Sequence, residues 1–387
     1  MPLLATLRSS LFLIAPLTLT MSAAPALSHD FLVGTYTRTT SRGIYAVKLD
    51  AKTGALSAPT LAAETPNPTF LALHPTGKFI YALDEAPATA PDGPVGGAIR
   101  AFALDSATIQ LTPLNREPTG GGSVTHLVVD ATGRSLVTVS YGAGQVVSFP
   151  LLADGRLGPR QSFIQHTGPL GPNRSRQDKP HAHSVTLSPD NRFAWVADLA
   201  LDRVFSYRLD ATTATLTPND PPAIAITPGA GPRHSKFSAD GRFFYVLNEI
   251  DGTVTVCAYD AAHGRGQPIQ NISTLPTDFK ITDPDRAAEV RVHPNGRFLY
   301  ASNRGHDSIA VFSINAASGK LTTVEFAPCG GKAPRNFALS PDGAWLVCAH
   351  QDSDSLCSFA VDPASGRLTR VPGSISVPMP VCVLFLN

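Results

Sequence analysis

Charge is scarce in this sequence. Only 16% of its 387 residues are charged, and the formal net charge is +1. That balance gives no general pull towards nucleic acid or an anionic membrane, so any electrostatic preference must be local. Cysteine is sparse as well. Cys257, Cys329, Cys348, Cys357 and Cys382 are odd in number and cannot all pair internally, and their spacing is neither CxxC nor zinc-like. Cys348 and Cys357 fall where a hairpin would make them neighbours; for most of the five the reading is a buried free thiol. No calcium loop of recognisable spacing occurs, and neither a metal nor a cofactor is expected. No G-x-S-x-G surrounds any serine, which removes the usual route to an acyl-enzyme. Long amphipathic helical patterns are missing too.

Long hydrophobic runs are confined to the N-terminus. "MPLLATLRSSLFLIAPLTLTMSAAPALSHD" carries Arg8, an apolar run from Leu11 to Leu19, and small residues ending in Ala24-Pro25-Ala26. That is the layout of an export signal cleaved after Ala26. Residues 1–26 are therefore set apart from the fold, and a periplasmic or secreted protein without stable membrane insertion is expected. The abundant residues are turn formers, 34 Pro and 31 Gly, within a chain that is 43% hydrophobic. Such a composition is globular and rich in turns.

The turns repeat. "LHPTGKFIYALDE", "VDATGRSLVTVSY", "LSPDNRFAWVADL", "FSADGRFFYVLNE", "VHPNGRFLYASNR" and "LSPDGAWLVCAHQ" share one layout: a strand end, a tight turn, a large apolar residue and a second strand. Their turn positions, Gly77, Gly133, Asn191, Gly241, Gly296 and Gly343, are 56, 58, 50, 55 and 47 residues apart. A third alternating stretch follows each one, as in "RVFSYRLD" and "TVTVCAYD". Four short strands per period suit a propeller blade. Two ends are left over: "FLVGTYTRTTSRGIYAVKLDAKTGAL" lacks a first strand, and "PVCVLFLN" is a first strand alone. Joined, they make a seventh blade and close the ring without exposed sheet edges. The expectation is an all-β, seven-bladed propeller of four-stranded antiparallel blades over residues 27–387.

Repeat geometry also gathers polar residues. Six places before the turn's Pro or Ala stand Thr69, Thr125, His183, Arg233, Ala288 and Arg335. Eight places after the turn's Gly or Asn stand Glu85, Tyr141, Leu199, Glu249, Arg304 and Gln351. In a hairpin the start of one strand lies beside the end of the other, which puts both columns on one face around the central channel. Three arginines, two glutamates and one histidine thus converge. Arginine suits a carboxylate or phosphate, and glutamate and histidine can move protons. The same charges can instead pair between blades and hold the ring, a role that also suits Arg335 and Glu85. His126 and His234, one place past the column, are expected to turn away by strand alternation. His181 reads as a turn residue, and Asp190, Asp240 and Asp342 as hairpin residues. The connection Gln165–His181, with Arg174, Arg176 and Lys179, reads either as a solvated loop or as one folding over the channel mouth.

At these residues the sequence resembles a known family. "PHAHSVTLSPDNRFAWVADLALDRVFSY", "GAGPRHSKFSADGRFFYVLNE", "GRFLYASNRGHDSIAVFSI" and "APRNFALSPDGAWL" look like blade motifs of the seven-bladed lactonases. That family includes propeller-type 6-phosphogluconolactonases and fungal 3-carboxy-cis,cis-muconate lactonising enzymes. The likeness runs from about Phe31 to Asn387, and the ordered series GPRH, LNE, SNRGHD is its specific part. It implies a catalytic set of His183, Arg233, Glu249 and Arg304; the column positions Arg335, Glu85, Tyr141 and Gln351 are expected to bind substrate. The implied reaction is metal-free hydrolysis of a small-molecule lactone by base-activated water. An export signal favours an unphosphorylated aldonolactone over a sugar phosphate lactone. Two rival readings remain at this stage: carboxymuconate cyclisation at the same site, and a non-catalytic exported binding or scaffold propeller. A monomer or small homo-oligomer is expected. Glu289 stands where a small or apolar residue belongs, and its charge would alter the pocket.

Overall fold

The computed structural model describes residues 28–85, 97–281 and 287–386. The segment read as an export signal, residues 1–26, lies outside them. Among the described residues no helix is long and apolar enough to cross a membrane. The strands form seven antiparallel sheets; six are ordered along the chain from the innermost strand outwards, and the first takes its innermost strand from the far end of the sequence. The last sheet carries an extra two-residue strand, Ile375–Ser376.

Burial explains the strand order. The second strand of each blade lies between two others and against neighbouring blades, so it reads as a nearly unbroken apolar run. FAWVAD (Phe193–Asp198) and FFYVLN (Phe243–Asn248) are buried throughout. Outer strands such as QLTPLNREP (Gln110–Pro118) are mostly polar and open to solvent. The core is therefore a ring of apolar layers between blades. Phe31 and Val33 of the first blade pack with Trp345 and Val347 of the last. Each hairpin between first and second strands turns at a left-handed residue, from φ +60° at Asn191 to +73° at Gly343. Glycine and asparagine accept that backbone, which other side chains resist, and the six turn positions carry only these two.

Neighbouring blades are stitched by a repeated hydrogen bond. Tyr81, Tyr245 and Tyr300 donate their hydroxyls to Gly155, Gly319 and Gly366 carbonyls at 2.9–3.1 Å. In the last blade Val347 holds the tyrosine's position, and Trp345, two residues earlier, donates to Ala51 of the first blade at 3.1 Å. The two leftover ends meet as anticipated: Ser28–Thr35 pairs antiparallel with Pro380–Phe385, Phe31 opposite Phe385. The first blade thus draws strands from both ends of the chain.

One irregularity prepares the site. In the innermost strands the pairing skips a residue at Thr125, His183, Arg233 and Arg335, so each is the extra residue of a β-bulge. In the sixth blade Ala288 and Glu289 are both skipped, opposite Ser302. A bulge breaks the two-residue alternation, so consecutive side chains can face the axis.

Candidate active site

At one end of the axis lies a cavity of about 270 Å³ lined by both columns, among them Glu85, Tyr141, His183, Glu249, Arg304 and Arg335. A narrower recess of about 20 Å³ continues beneath it, reaching Thr69, Phe70 and His234. A larger hollow of about 630 Å³ opens between hairpin turns near His74 and Leu152, but it lacks a comparable set of buried charges. The cavity suits a small polar molecule.

Glu249 is the centre of the arrangement. It is 2% exposed. Arg233 Nε donates to its Oε2 at 2.5 Å, Arg304 Nη2 lies 3.3 Å from the same oxygen, and Arg176 Nη2 donates to Oε1 at 2.7 Å. Burial alone would raise this carboxyl, but Arg304, Arg233, His183 and Arg176 overcome it and hold the group well below the usual carboxylate range. Glu249 is therefore permanently ionised and weakly basic. His183, 6% exposed, places Nε2 at 3.8 Å from Glu249 Oε2. Burial, with Arg233 next, pushes its imidazole well below the ordinary histidine value, so it is neutral near pH 7.

Across the cavity stands Glu85. Among the described residues no hydrogen-bond donor reaches its carboxylate. Burial raises the carboxyl to about 7, against opposing pulls from Arg335 and Arg38. The consequence for stability has a definite sign. Below the ordinary value of 4.5 the group is protonated in both states. Between 4.5 and about 7 the unfolded chain releases the proton while the folded one keeps it, so stability falls as pH rises. The fall should total on the order of 2–3 kcal/mol. Buried neutral His183 and His234 act with the opposite sign over the same range, so the Glu85 effect is read as a difference: in urea midpoints from pH 4 to pH 8, Glu85→Gln should gain on the wild type as pH rises, and parallel profiles would refute it.

The columns are brought together with exceptions. His183, Arg233, Glu249, Arg304, Arg335, Glu85, Tyr141, Thr69 and Thr125 line the cavity or its recess. Gln351 does not: the chain enters a short 3-10 turn, Gln351–Ser353, and its amide donates to Asp352 Oδ1 at 3.0 Å. Leu199 is buried beneath the long connection, its carbonyl accepting from Gln177 Nε2 at 2.9 Å. Ala288 contributes its carbonyl, which accepts from Arg233 Nη1.

Two further expectations are corrected. His126 and His234 do not turn away. The bulges at Thr125 and Arg233 reset the alternation, so the two rings meet at 5.3 Å in the channel, and His234 lies 5.4 Å from His183. Glu289 does not line the cavity; it is buried one layer deeper beside His234.

The long connection folds over the mouth, and its Arg176 enters the site while Arg174 and Lys179 stay exposed. Buried Asp198 holds both of its ends: Oδ2 lies 2.8 Å from His166 Nδ1, and Oδ1 accepts from the His181 backbone at 2.9 Å. His181 is more than a turn residue, for its ring stacks on Tyr141 at 4.1 Å. Asp190 and Asp240 do serve their hairpins, each accepting from the preceding serine hydroxyl at 2.6 Å. All five cysteines are free and buried, with Cys348 opposite Cys357 across a hairpin.

Tyr36 and Arg38 were missed by the column reading. Thr35 pairs with Pro380 as Asn248 pairs with Pro232, so Tyr36 is the seventh member of the column holding Glu249. Arg335 Nη2 donates to its hydroxyl at 3.2 Å, and Arg38 stacks over its ring at 4.0 Å. Joining the two chain ends before aligning the blades would have revealed it.

A closed ring of seven four-stranded blades, with arginines and carboxylates converging at one end of its axis, defines a propeller with a built small-molecule site. The family model of the 7-bladed β-propeller lactonases matches residues 30–385. The chain belongs to this lactonase family. It is 38% identical to the 6-phosphogluconolactonase of Bacillus subtilis (strain 168) over 355 residues, 92% of this chain and 97% of that protein. With the 6-phosphogluconolactonase of Formosa agariphila it shares 32% identity over 312 residues, 79% and 85% of the two chains. The solved structure of the periplasmic gluconolactonase of Pseudomonas aeruginosa superposes with a TM-score of 0.87 at 33% identity, over 93% of this chain and 99% of that one.

Proposed function

We propose that this protein hydrolyses a sugar lactone at the channel mouth. The observation that carries the reading is the convergence of Arg233, Arg304 and Arg176 on buried Glu249, beside neutral His183 and facing Glu85. The lactone's ring carbonyl lies towards Arg233 and Arg304, whose N–H groups stabilise the oxyanion formed when water attacks. The water oxygen bonds to the carbonyl carbon, the ring C–O bond breaks, and the water's proton ends on the departing ring oxygen. Glu249 fixes the guanidinia; its low basicity makes it a poor proton acceptor. Glu85, with a carboxyl near 7, is matched to that step at neutral pH. His183 is placed to hydrogen-bond the attacking water or the departing oxygen.

Among the residues lining the cavity, Arg38, Arg176, Arg233, Arg304 and Arg335 outnumber Glu85 and Glu249. A lactone bearing an anionic group gains from that surplus, as would a phosphorylated one; the export-signal layout of residues 1–26 favours an unphosphorylated aldonolactone. A panel assayed by acid release, containing glucono-lactone, its 6-phosphate and carboxymuconate, separates these cases. Hydrolysis of sugar lactones is the expected outcome. No acid release from any lactone, or consumption of carboxymuconate alone, overturns the proposal.

A further inference from the structure

Beneath the cavity lies a polar layer that the proposed chemistry does not use. Glu289, 0% exposed, and His234, 5% exposed, sit there in contact. His234 Nδ1 is 3.3 Å from Glu289 Oε2, and His234 Nε2 is 3.2 Å from Arg233 Nη1. We infer that Glu289 and His234 are positioning residues for Arg233: the carboxylate fixes the imidazole tautomer whose free lone pair receives the guanidinium. This inference rests on the reading of Arg233 as the oxyanion donor.

Hydrogen-bond capacities fix the assignment. Arginine only donates, so the His234 nitrogen facing it must be the unprotonated one. Burial, then Arg233, keeps His234 neutral. A neutral imidazole has one N–H, which therefore sits on Nδ1 and needs an acceptor, and Glu289 Oε2 is that acceptor. Glu289 is itself held. Asn336 Nδ2 donates to Oε2 at 2.5 Å and the Val290 backbone to Oε1 at 3.1 Å. Asn336 is anchored in turn by the Val383 backbone, which donates to its Oδ1 at 2.8 Å. Arg291 Nη2 stands 3.5 Å from Oε2 on the far side.

The result is a guanidinium with two of its three nitrogens committed. Arg233 Nε goes to Glu249, and Nη1 to the Ala288 carbonyl and His234. Nη2 remains for the cavity. A glutamate in this layer, where other blades offer Phe70, Ser184 or Cys382, is explained by that task.

The first test needs no substrate. With the histidine ring nitrogens isotope-labelled and His234 assigned by its absence from His234→Phe, NMR at pH 7 should show a neutral ring protonated on Nδ1. A proton on Nε2, or on both nitrogens, overturns the inference whether or not any lactone is turned over. The second test is kinetic. His234→Phe keeps the ring's shape but offers Arg233 no lone pair, and kcat should fall at least tenfold with KM within about threefold. Glu289→Gln leaves one acceptor oxygen for donors that now share two, and should also lower kcat. Because Glu289 acts through His234, adding Glu289→Gln to His234→Phe should change kcat by less than about twofold. Wild-type kcat in either single variant, or multiplicative losses in the double, overturns the relay. Full turnover in Arg233→Ala would instead refute the reading of the site.

Discussion

Replacing Glu249 by alanine should lower folding stability by about 3–5 kcal/mol, the scale for breaking a buried ion pair by removing one partner. Three guanidinium groups, those of Arg233, Arg304 and Arg176, lie within 3.3 Å of this one carboxylate. Without it they repel one another in a region shielded from water. The wild type should also lose stability on acidification for the same reason. Glu249's folded-state carboxyl lies below its ordinary value of 4.5, so its contribution is complete above that pH and drains away as pH falls towards the folded value. Urea unfolding at pH 7 and again at pH 3 checks both statements. The variant should show a reduced midpoint at pH 7 and a gap to wild type that narrows at pH 3. A pH 7 loss under about 1 kcal/mol would mean that solvent already screens the arginines.

The second large effect is on turnover. Arg233→Ala should reduce kcat/KM for the preferred lactone by about a hundred- to a thousandfold, the cost of one preorganised oxyanion donor. Its effect on folding should be smaller than that of Glu249→Ala, because Arg304 and Arg176 still neutralise the carboxylate. Arg233→Lys should recover only part of the loss, since an ammonium cannot reproduce the planar fork that contacts Glu249, Ala288 and His234 together. Steady-state kinetics on the folded variants decides the point. Near wild-type kcat/KM in Arg233→Ala would assign the arginine to the ring's architecture.

Much of this was legible because the chain repeats itself. A period of about fifty residues with Gly or Asn at each turn places His183 with Arg233, and Glu249 with Arg304, in two sets of equivalent positions, and equivalence in a ring means convergence on the axis. The pairing of "PVCVLFLN" with the first strands follows from the same count. What the pattern concealed has physical causes. A bulge inserts a residue without leaving a mark in hydrophobic alternation, so His126 and His234 seemed to face outward when the backbone turns them in. Tyr36 was hidden because its blade is split between the two ends. Arg176 lies in a segment without periodicity, where three basic residues look alike until Asp198 clamps the loop and selects one. Gln351 kept its place in the register but lost its direction when the chain tightened into a 3-10 turn.

The sheet shared by the two ends governs when the site comes into being. Tyr36 donates its backbone N–H to the Met379 carbonyl at 3.0 Å, and its ring and hydroxyl help hold Arg38 and Arg335 at the cavity. The residues around Tyr36 and the strand that fixes them stand more than three hundred residues apart in the sequence. The wall they form therefore depends on a pairing of very long sequence separation, a slow kind of contact to make, and lactone chemistry waits on it.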